Sequence, residues 1–393
     1  MRVLLLSQFF APVIGGEERH VEALAGELLR RGHAVSVATI AIPGEPTAET
    51  RDGVRVHRLR TASQRLPALF SDPRRPHAPP FPDPELAAGL RRVARAERPD
   101  VVHAHNWIVG SALSLRRQAP LVLTLHDYGH TCATKRLMLG GATCAGPAPF
   151  RCLRHGVRHH GALVGTATVA GTWAMRGPKE AALGAVIAVS AAVARGSRTG
   201  PGTPLHVIPN FIPDRVWEDA GESLDEPFLL FVGDLGRDKG LPTVLEAYQQ
   251  LAGPPPLVLM GRRVADTPAR LPAGVTALID CPHDQVVDAL RRCRVALAPS
   301  VWPDPCPTVV LEAMAAGCAL VTTPVGGIPD LVRPDGAVTV PPGDAGALAA
   351  TVRGLLADRG RRRRLGAAAR ERSRDFTASR VVPRIEAVYR SCL

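Results

Sequence analysis

The sequence is poor in aromatic residues and almost devoid of lysine. Phe, Trp and Tyr make up 4% of its 393 residues, too few for the stacking platforms that hold single-stranded nucleic acid. No nucleic-acid-binding motif is present, so no nucleic-acid partner is expected. Lysine occurs only at Lys135, Lys179 and Lys239, which leaves arginine to carry the formal charge of +12. No apolar run reaches the roughly 18–20 residues that span a bilayer; 162–175 comes nearest. The opening run Val3–Phe10 is broken by Ser7 and Gln8 and leads into a Gly-rich turn, so it reads as a first strand and not as an export signal. Without such a signal the eight cysteines are expected to be mostly reduced. The expected location is the cytoplasm, with contact to the inner membrane face as an option for a basic surface. The arginine run 359–374 reads most simply as a solvated helix face.

What is present points to two domains of α/β type. Arg2–Gln8 reads as a strand, Gly15-Gly16 as a turn, 17–32 as an amphipathic helix and 33–40 as the next strand. This is a βαβ unit without a full GxGxxG, so dinucleotide binding is not supported, whereas a phosphate or sugar near Gly15 and Gly16 is. Two short buried strands, 100–104 and 121–125, are followed by His105 and Asn106, and by His126 and Asp127. Strand carboxyl ends face the ligand crevice in a parallel sheet. Gln64–Pro84, rich in Pro and Arg, reads as a mobile surface loop. After a stretch at 211–227 that is rich in Pro, Gly and acidic residues and reads as a hinge, the same strand–turn–helix grammar restarts at Phe228.

Three groupings carry chemistry. In the restart, Gly233–Gly240 contains Arg237 and Lys239, cations suited to a diphosphate. Further on, WPDPCPTVVLEAMAAGCALVTTPVGGIPD reads as loop, helix, strand, loop. Asp304 and Glu312 bracket a helix N-terminus whose free N–H groups favour phosphate, while the carboxylates could hold sugar or ribose hydroxyls. Cys306, Thr308, Gly326 and Gly327 lie in the same stretch and are donor-binding candidates. Third, Cys132, Cys144, Cys152 and His155 offer a donor set suited to tetrahedral zinc, with a knuckle-like spacing in the last pair; the competing reading is a metal-free lid.

The motifs PVIGGEERHVEALAGELLRRGHAVSV, DVVHAH, TLHD, VIAVS, VIPN, FVGDLGRDKG and DPCPTVVLEAMAAGCALVTTPVGGIPD together resemble the retaining glycosyltransferases of the GT-B fold (glycosyl transferases group 1, family four), over nearly the whole chain. The resemblance implies two Rossmann-like, doubly wound parallel-sheet domains facing a central cleft. The acceptor side would be 1–212 with an insert at 128–160, followed by a hinge at 213–227. The nucleotide-sugar domain would be 228–376, and the C-terminal helix 377–393 would cross back.

The resemblance also implies a hexose moved from a UDP- or GDP-sugar with retention, to a small molecule or a lipid-linked glycan, with no catalytic metal. His126 and Asp127 would act near the reacting centre, Arg237 or Lys239 on the diphosphate, Asp304 on the hexose and Glu312 on the ribose. Gly15 and Gly16 would approach the donor; Glu18, His20, His105 and Asn106 are acceptor-side candidates. The sequence departs from the family pattern at Asp304, Asp234 and Cys306-Pro307. No acidic DxD pair is placed like a metal site. A nucleotide-sugar epimerase of similar build and a non-catalytic metal- or lipid-binding protein are the competing readings.

Overall fold

A computed structural model describes residues 1–13, 15–65, 77–220 and 224–393. The chain divides into two compact units, Met1–Pro209 with Val382–Leu393, and Asn210–Val381. Among the described residues the first unit is built on an eight-stranded sheet. Its strands are β1 (Arg2–Leu6), β2 (Ala34–Ile40), β3 (Ala48–Arg51), β4 (Val54–Leu59), β5 (Val101–His105) and β6 (Leu121–Leu125). After a short hairpin of β7 (Met138–Leu139) and β8 (Ala142–Thr143) come β9 (Ala185–Ala188) and β10 (Leu205–Val207). The sheet order is β10-β9-β6-β5-β1-β2-β4-β3. Every pair is parallel except the edge pair β3–β4.

This order fixes where a ligand can sit. The chain moves outward from β1 through β2 to β4, then returns to the other side of β1 at β5, so the strand order reverses between β1 and β5. In open α/β sheets the crevice lies at the carboxyl ends of the strands flanking such a reversal. β5 and β6 are buried along their whole length, which is why they read as unbroken apolar runs.

The second unit repeats the logic. β11 (Glu226–Val232), β12 (Leu257–Gly261), β13 (Val275–Ile279), β14 (Cys293–Ala298), β15 (Ala319–Thr322) and β16 (Val338–Thr339) form an all-parallel sheet in the order β13-β12-β11-β14-β15-β16. The reversal falls between β11 and β14. Phe231, Leu241, Val244, Leu259, Leu297 and Leu348 belong to its core.

Helix boundaries follow capping chemistry. Asp83 accepts from the Leu86 amide and Pro84 sits in the first turn of helix Pro84–Glu97. Asp344 and Asp358 cap Ala345–Ala357 and Arg359–Ser373 in the same way. Glu17 and Glu18 lie in the first turn of helix Gly16–Arg30.

Several expectations change. The stretch expected as a hinge at 213–227 holds helix Asp214–Ala220 and the start of β11 at Glu226, and its described part belongs to the second unit. The arginine run is not simply solvated. Arg362 is buried, reaching both oxygens of Asp225 at 2.9 and 2.8 Å, and Arg370 reaches the carbonyls of Ala315 and Trp217. A planar guanidinium can tie off carbonyls and a carboxylate at once, which helix periodicity does not reveal. The insert at 128–160 is helical over Pro149–His160, which packs closely on the following helix Ala162–Ala174: a Cβ on Gly165 would lie 2.4 Å from the Gly156 carbonyl oxygen. The loop expected at 64–84 falls partly on 66–76, outside the described residues; its near end is the 3-10 turn Ala62–Arg65. No helix among the described residues is long and apolar enough to cross a membrane.

Candidate active site

At the carboxyl ends of β5 and β6 the first unit gathers a hydrogen-bonded cluster around Asn106. Asn106 adopts a left-handed conformation (φ 55°), which asparagine tolerates better than most residues. Its side-chain oxygen accepts from the His126 amide at 3.0 Å, and its amide nitrogen donates to Glu17 at 2.6 Å and to Asp127 at 3.2 Å. Asp127 also accepts from the Gly129 amide at 2.6 Å and lies 3.9 Å from Lys135 Nζ. The Trp107 indole donates to the Gly129 carbonyl at 2.7 Å, which locks the turn.

Histidines floor the cluster. His105 Nδ1 and His126 Nε2 are 2.8 Å apart, and the His20 ring lies 4.8 Å from that of His126. Beneath them His103 is fully bonded, to Tyr389 and Thr124 at 2.7 Å each. Burial lowers His20 to about 4 and His103 to about 3, and holds His105 well below its ordinary value, so all three are neutral near pH 7. Burial, reinforced by Glu18, raises Glu17 to about 8, and burial raises Asp127 against the pull of Lys135. A neutral Glu17 is a hydrogen-bonding group near pH 7, not a counter-charge.

The second unit places its groups at the reversal between β11 and β14. Lys239 leaves the Gly-rich turn to form an ion pair with Asp304, which also receives the Ser300 hydroxyl at 3.3 Å and is almost wholly buried. Lys239 Nζ lies 5.5 Å from the centre of the Trp302 ring. The Asp304 carbonyl accepts from the Gly327 amide at 2.8 Å. A Cβ on Gly326, at φ 58°, would lie 2.1 Å from that same carbonyl oxygen, so only glycine fits there. Glu312 is in helix Thr308–Ala315, whose N-cap is Pro307, and it meets His283 Nε2 at 2.8 Å. The Asn210 side chain donates to the Cys306 carbonyl at 2.9 Å, and burial pushes the Cys306 thiol up to about 12. That buried thiol is held in its protonated form near pH 7.

A family model described as Glycosyltransferase Family 4 matches residues 14–215, and one described as Glycosyl transferases group 1 matches residues 217–372. The chain belongs to the group 1, family 4 glycosyltransferases. It is 30% identical to the alpha-maltose-1-phosphate synthase of Mycolicibacterium smegmatis over 99% of each chain. In structure this glycosyltransferase is similar to sucrose-phosphate synthase of Thermosynechococcus elongatus (TM-score 0.74, 21% identity, 99% and 98% of the two chains). It is similar also to Anabaena HepE in complex with UDP and glucose (TM-score 0.71, 18% identity, 100% of both chains). The fold is GT-B. Neither an epimerase nor a non-catalytic metal- or lipid-binding protein finds support among these relatives.

Among the residues singled out in sequence, His20, His105, Asn106, His126 and Asp127 come together in the first unit, with Gly15 and Gly16 at the start of the adjoining helix. Glu18 approaches Gly15 closely, where an added Cβ would lie 2.1 Å from its Oε2. In the second unit Lys239, Asp304, Gly326 and Gly327 converge, whereas Arg237 is exposed and its backbone amide is bonded to Asp266 at 2.9 Å. Glu17, Lys135, Trp107 and His283 were not foreseen. Glu17 sits in a helical first turn where an acidic residue reads as dipole complement, His283 opens another helix, and only the fold brings each to its partner.

Among the described residues one set of three metal-capable donors lies within 4.8 Å of one another: His20, His105 and His126. The hydrogen bond between His105 and His126 already occupies two of these nitrogens. Cys132, Cys144, Cys152 and His155 line one cavity of about 30 Å³. Their donor atoms do not form a set that close.

Proposed function

We propose that this glycosyltransferase moves a hexosyl group from a nucleotide-sugar, with UDP- or GDP-sugars as the first candidates, to an acceptor hydroxyl with retention of configuration. The observation that carries this reading is the buried Asp304 held between Lys239 and Ser300 at the reversal of the second sheet. A cation and a carboxylate fixed side by side there suit a diphosphate and an adjoining sugar hydroxyl, respectively. Glu312, which meets His283, would receive ribose hydroxyls.

In this reading Lys239 stabilises charge gathering on the departing diphosphate, and Arg237 adds to it from the exposed side of the turn. His126 contacts the sugar at the reacting centre, with Asn106 fixing its backbone. Glu17, raised to about 8 and so protonated near pH 7, cannot be the ionised nucleophile of a glycosidase-type double displacement. The leaving phosphate instead takes the acceptor's proton on the same face. The acceptor is a small molecule or a lipid-linked glycan.

We further propose a structural zinc in the lid. Three thiols and an imidazole on one small cavity support it. Within the described residues the sulfurs make weak hydrogen bonds, Cys132 with Thr134 at 3.3 Å, Cys144 to the Gly146 carbonyl at 3.5 Å and Cys152 from the Ala148 amide at 3.3 Å. The metal would tie the hairpin to helix Pro149–His160.

The test of the reaction is product analysis. With an α-linked nucleotide-hexose as donor, the account expects an α-linked product by proton NMR. A β-linked product would overturn retention, and turnover that needs no donor would overturn transfer.

A further inference from the structure

Within the first unit, helix Ala162–Ala174 and the proline-rich segment before helix Pro84–Glu97 border an open cavity of about 850 Å³, with Leu163 and Ala167 exposed on its helical wall. That volume falls inside the range of roughly 300–1,000 Å³ typical of small-molecule sites. Its walls include Pro79, Pro80, Phe81, Leu163, Val164 and Ala167. Ala167 shares a helix face with both Leu163 and Val164, which precede it by four and three residues.

The walls are stiff. The Phe81 ring packs against Gly171, where a Cβ would lie 2.4 Å from it, and the Phe81 backbone packs on Gly110, where a Cβ would come within 3.2 Å. Prolines fix the backbone on either side. Most polar groups on the wall are already bonded within the protein. Asp83 accepts from the amides of Ala62, Ser63 and Leu86; the Ser63 hydroxyl meets Thr61 at 2.6 Å; Thr134 meets the Cys132 sulfur; and His160 meets the Ala133 carbonyl at 3.1 Å.

One end of the cavity is different. Lys135 and Trp107 line it, with the ammonium 4.3 Å from the indole centre. Lys135 is also 3.9 Å from Asp127, and Trp107 is bonded to Gly129 in the same turn. The apolar cavity therefore opens at one end on the groups that hold His126 and Asn106.

We propose that this cavity binds the acceptor, and that the acceptor is a small molecule with a rigid, apolar ring body whose hydroxyl is presented at the Lys135–Asp127 end. A free oligosaccharide would bring many hydroxyls to walls whose polar groups are taken, leaving those hydroxyls unpaired. A long acyl chain would lose its own conformational freedom to fit walls that do not adapt, whereas a rigid ring body loses little. The proposal rests on the transferase reading for the word acceptor, but the preference for a ring body can be measured without a donor.

The experiment is calorimetric titration of the full chain with four probes: 1-naphthyl β-D-glucoside, methyl β-D-glucoside, dodecyl β-D-glucoside and maltotetraose. The naphthyl glucoside should bind at least tenfold more tightly than each of the others. Ala167→Trp, at an exposed position that lines the cavity, should abolish that advantage, whereas Thr166→Trp, exposed on the same helix but outside the lining, should keep it; circular dichroism checks that both variants fold. Tighter binding of maltotetraose or of the dodecyl glucoside, or an Ala167→Trp variant that binds the naphthyl glucoside as before, would overturn the proposal. Ring selectivity found alongside a failure of every nucleotide-sugar to support transfer would refute the transferase reading instead and leave the cavity's preference standing.

Discussion

Lys239 and Asp304 form an ion pair between two segments 65 residues apart in sequence, with the carboxylate almost wholly buried and the ammonium partly exposed. The pair ties the Gly-rich turn after β11 to the loop after β14. Truncating one partner leaves a buried charge without compensation, which is costlier than the pair is stabilising.

Lys239→Ala is therefore expected to lower the unfolding free energy by about 1–3 kcal/mol and transfer by roughly a hundredfold or more. Lys239→Met combined with Asp304→Asn removes both charges and should recover most of the stability without recovering activity. Denaturant unfolding and initial transfer rates separate the two effects. Activity returning with stability would show that the pair only holds the loop.

Acid should destabilise the first unit through its neutral histidines. Burial lowers His20 from 6.5 to about 4 and His103 to about 3. Between pH 6.5 and 4 the unfolded chain thus binds protons that the folded one refuses, so stability falls as pH falls, by about 1.4 kcal/mol per pH unit for each such histidine. Glu17, raised from 4.5 to about 8, acts in the opposite direction, because it holds a proton in the folded state and loses stability as pH rises from 4.5 to 8. His20→Gln should flatten the acid side of the stability profile and Glu17→Gln the alkaline side. Urea midpoints across pH 4–8 measure both, and parallel profiles for all three proteins would contradict the assignment.

Much of this architecture is legible in the sequence because parallel strands buried on both faces read as apolar runs, and β6 spans the residues that periodicity indicates. The gathering of His105, Asn106, His126 and Asp127 is legible too, since it needs only the rule that strand carboxyl ends converge. The Glu17–Asn106 and His283–Glu312 contacts are not, because they join side chains 89 and 29 residues apart whose approach depends on helix placement. Arg362 is a similar case: one guanidinium in a run of like residues is buried on Asp225, and charge counting treats all of them alike.

The lid makes a separate prediction. Protein purified without chelator should carry close to one zinc per chain, and Cys144→Ser with Cys152→Ser should lose it. Removing the metal should lower the melting temperature by several degrees, as expected when a ligand that binds only the folded state is withdrawn. Elemental analysis showing no zinc in freshly purified protein would rule the site out and leave the cysteines as packing residues.

The central claim, that the second unit holds a nucleotide-sugar through Glu312 and the Lys239–Asp304 pair, is tested most directly by thermal shift with UDP, GDP, ADP and dTDP, on the native chain and on Glu312→Ala. A nucleotide at about 100 times its dissociation constant should stabilise by roughly 2.7 kcal/mol. The account predicts a clear upward shift with one of the four nucleotides that disappears in Glu312→Ala. No shift with any of them, or a shift that survives the substitution unchanged, would contradict it.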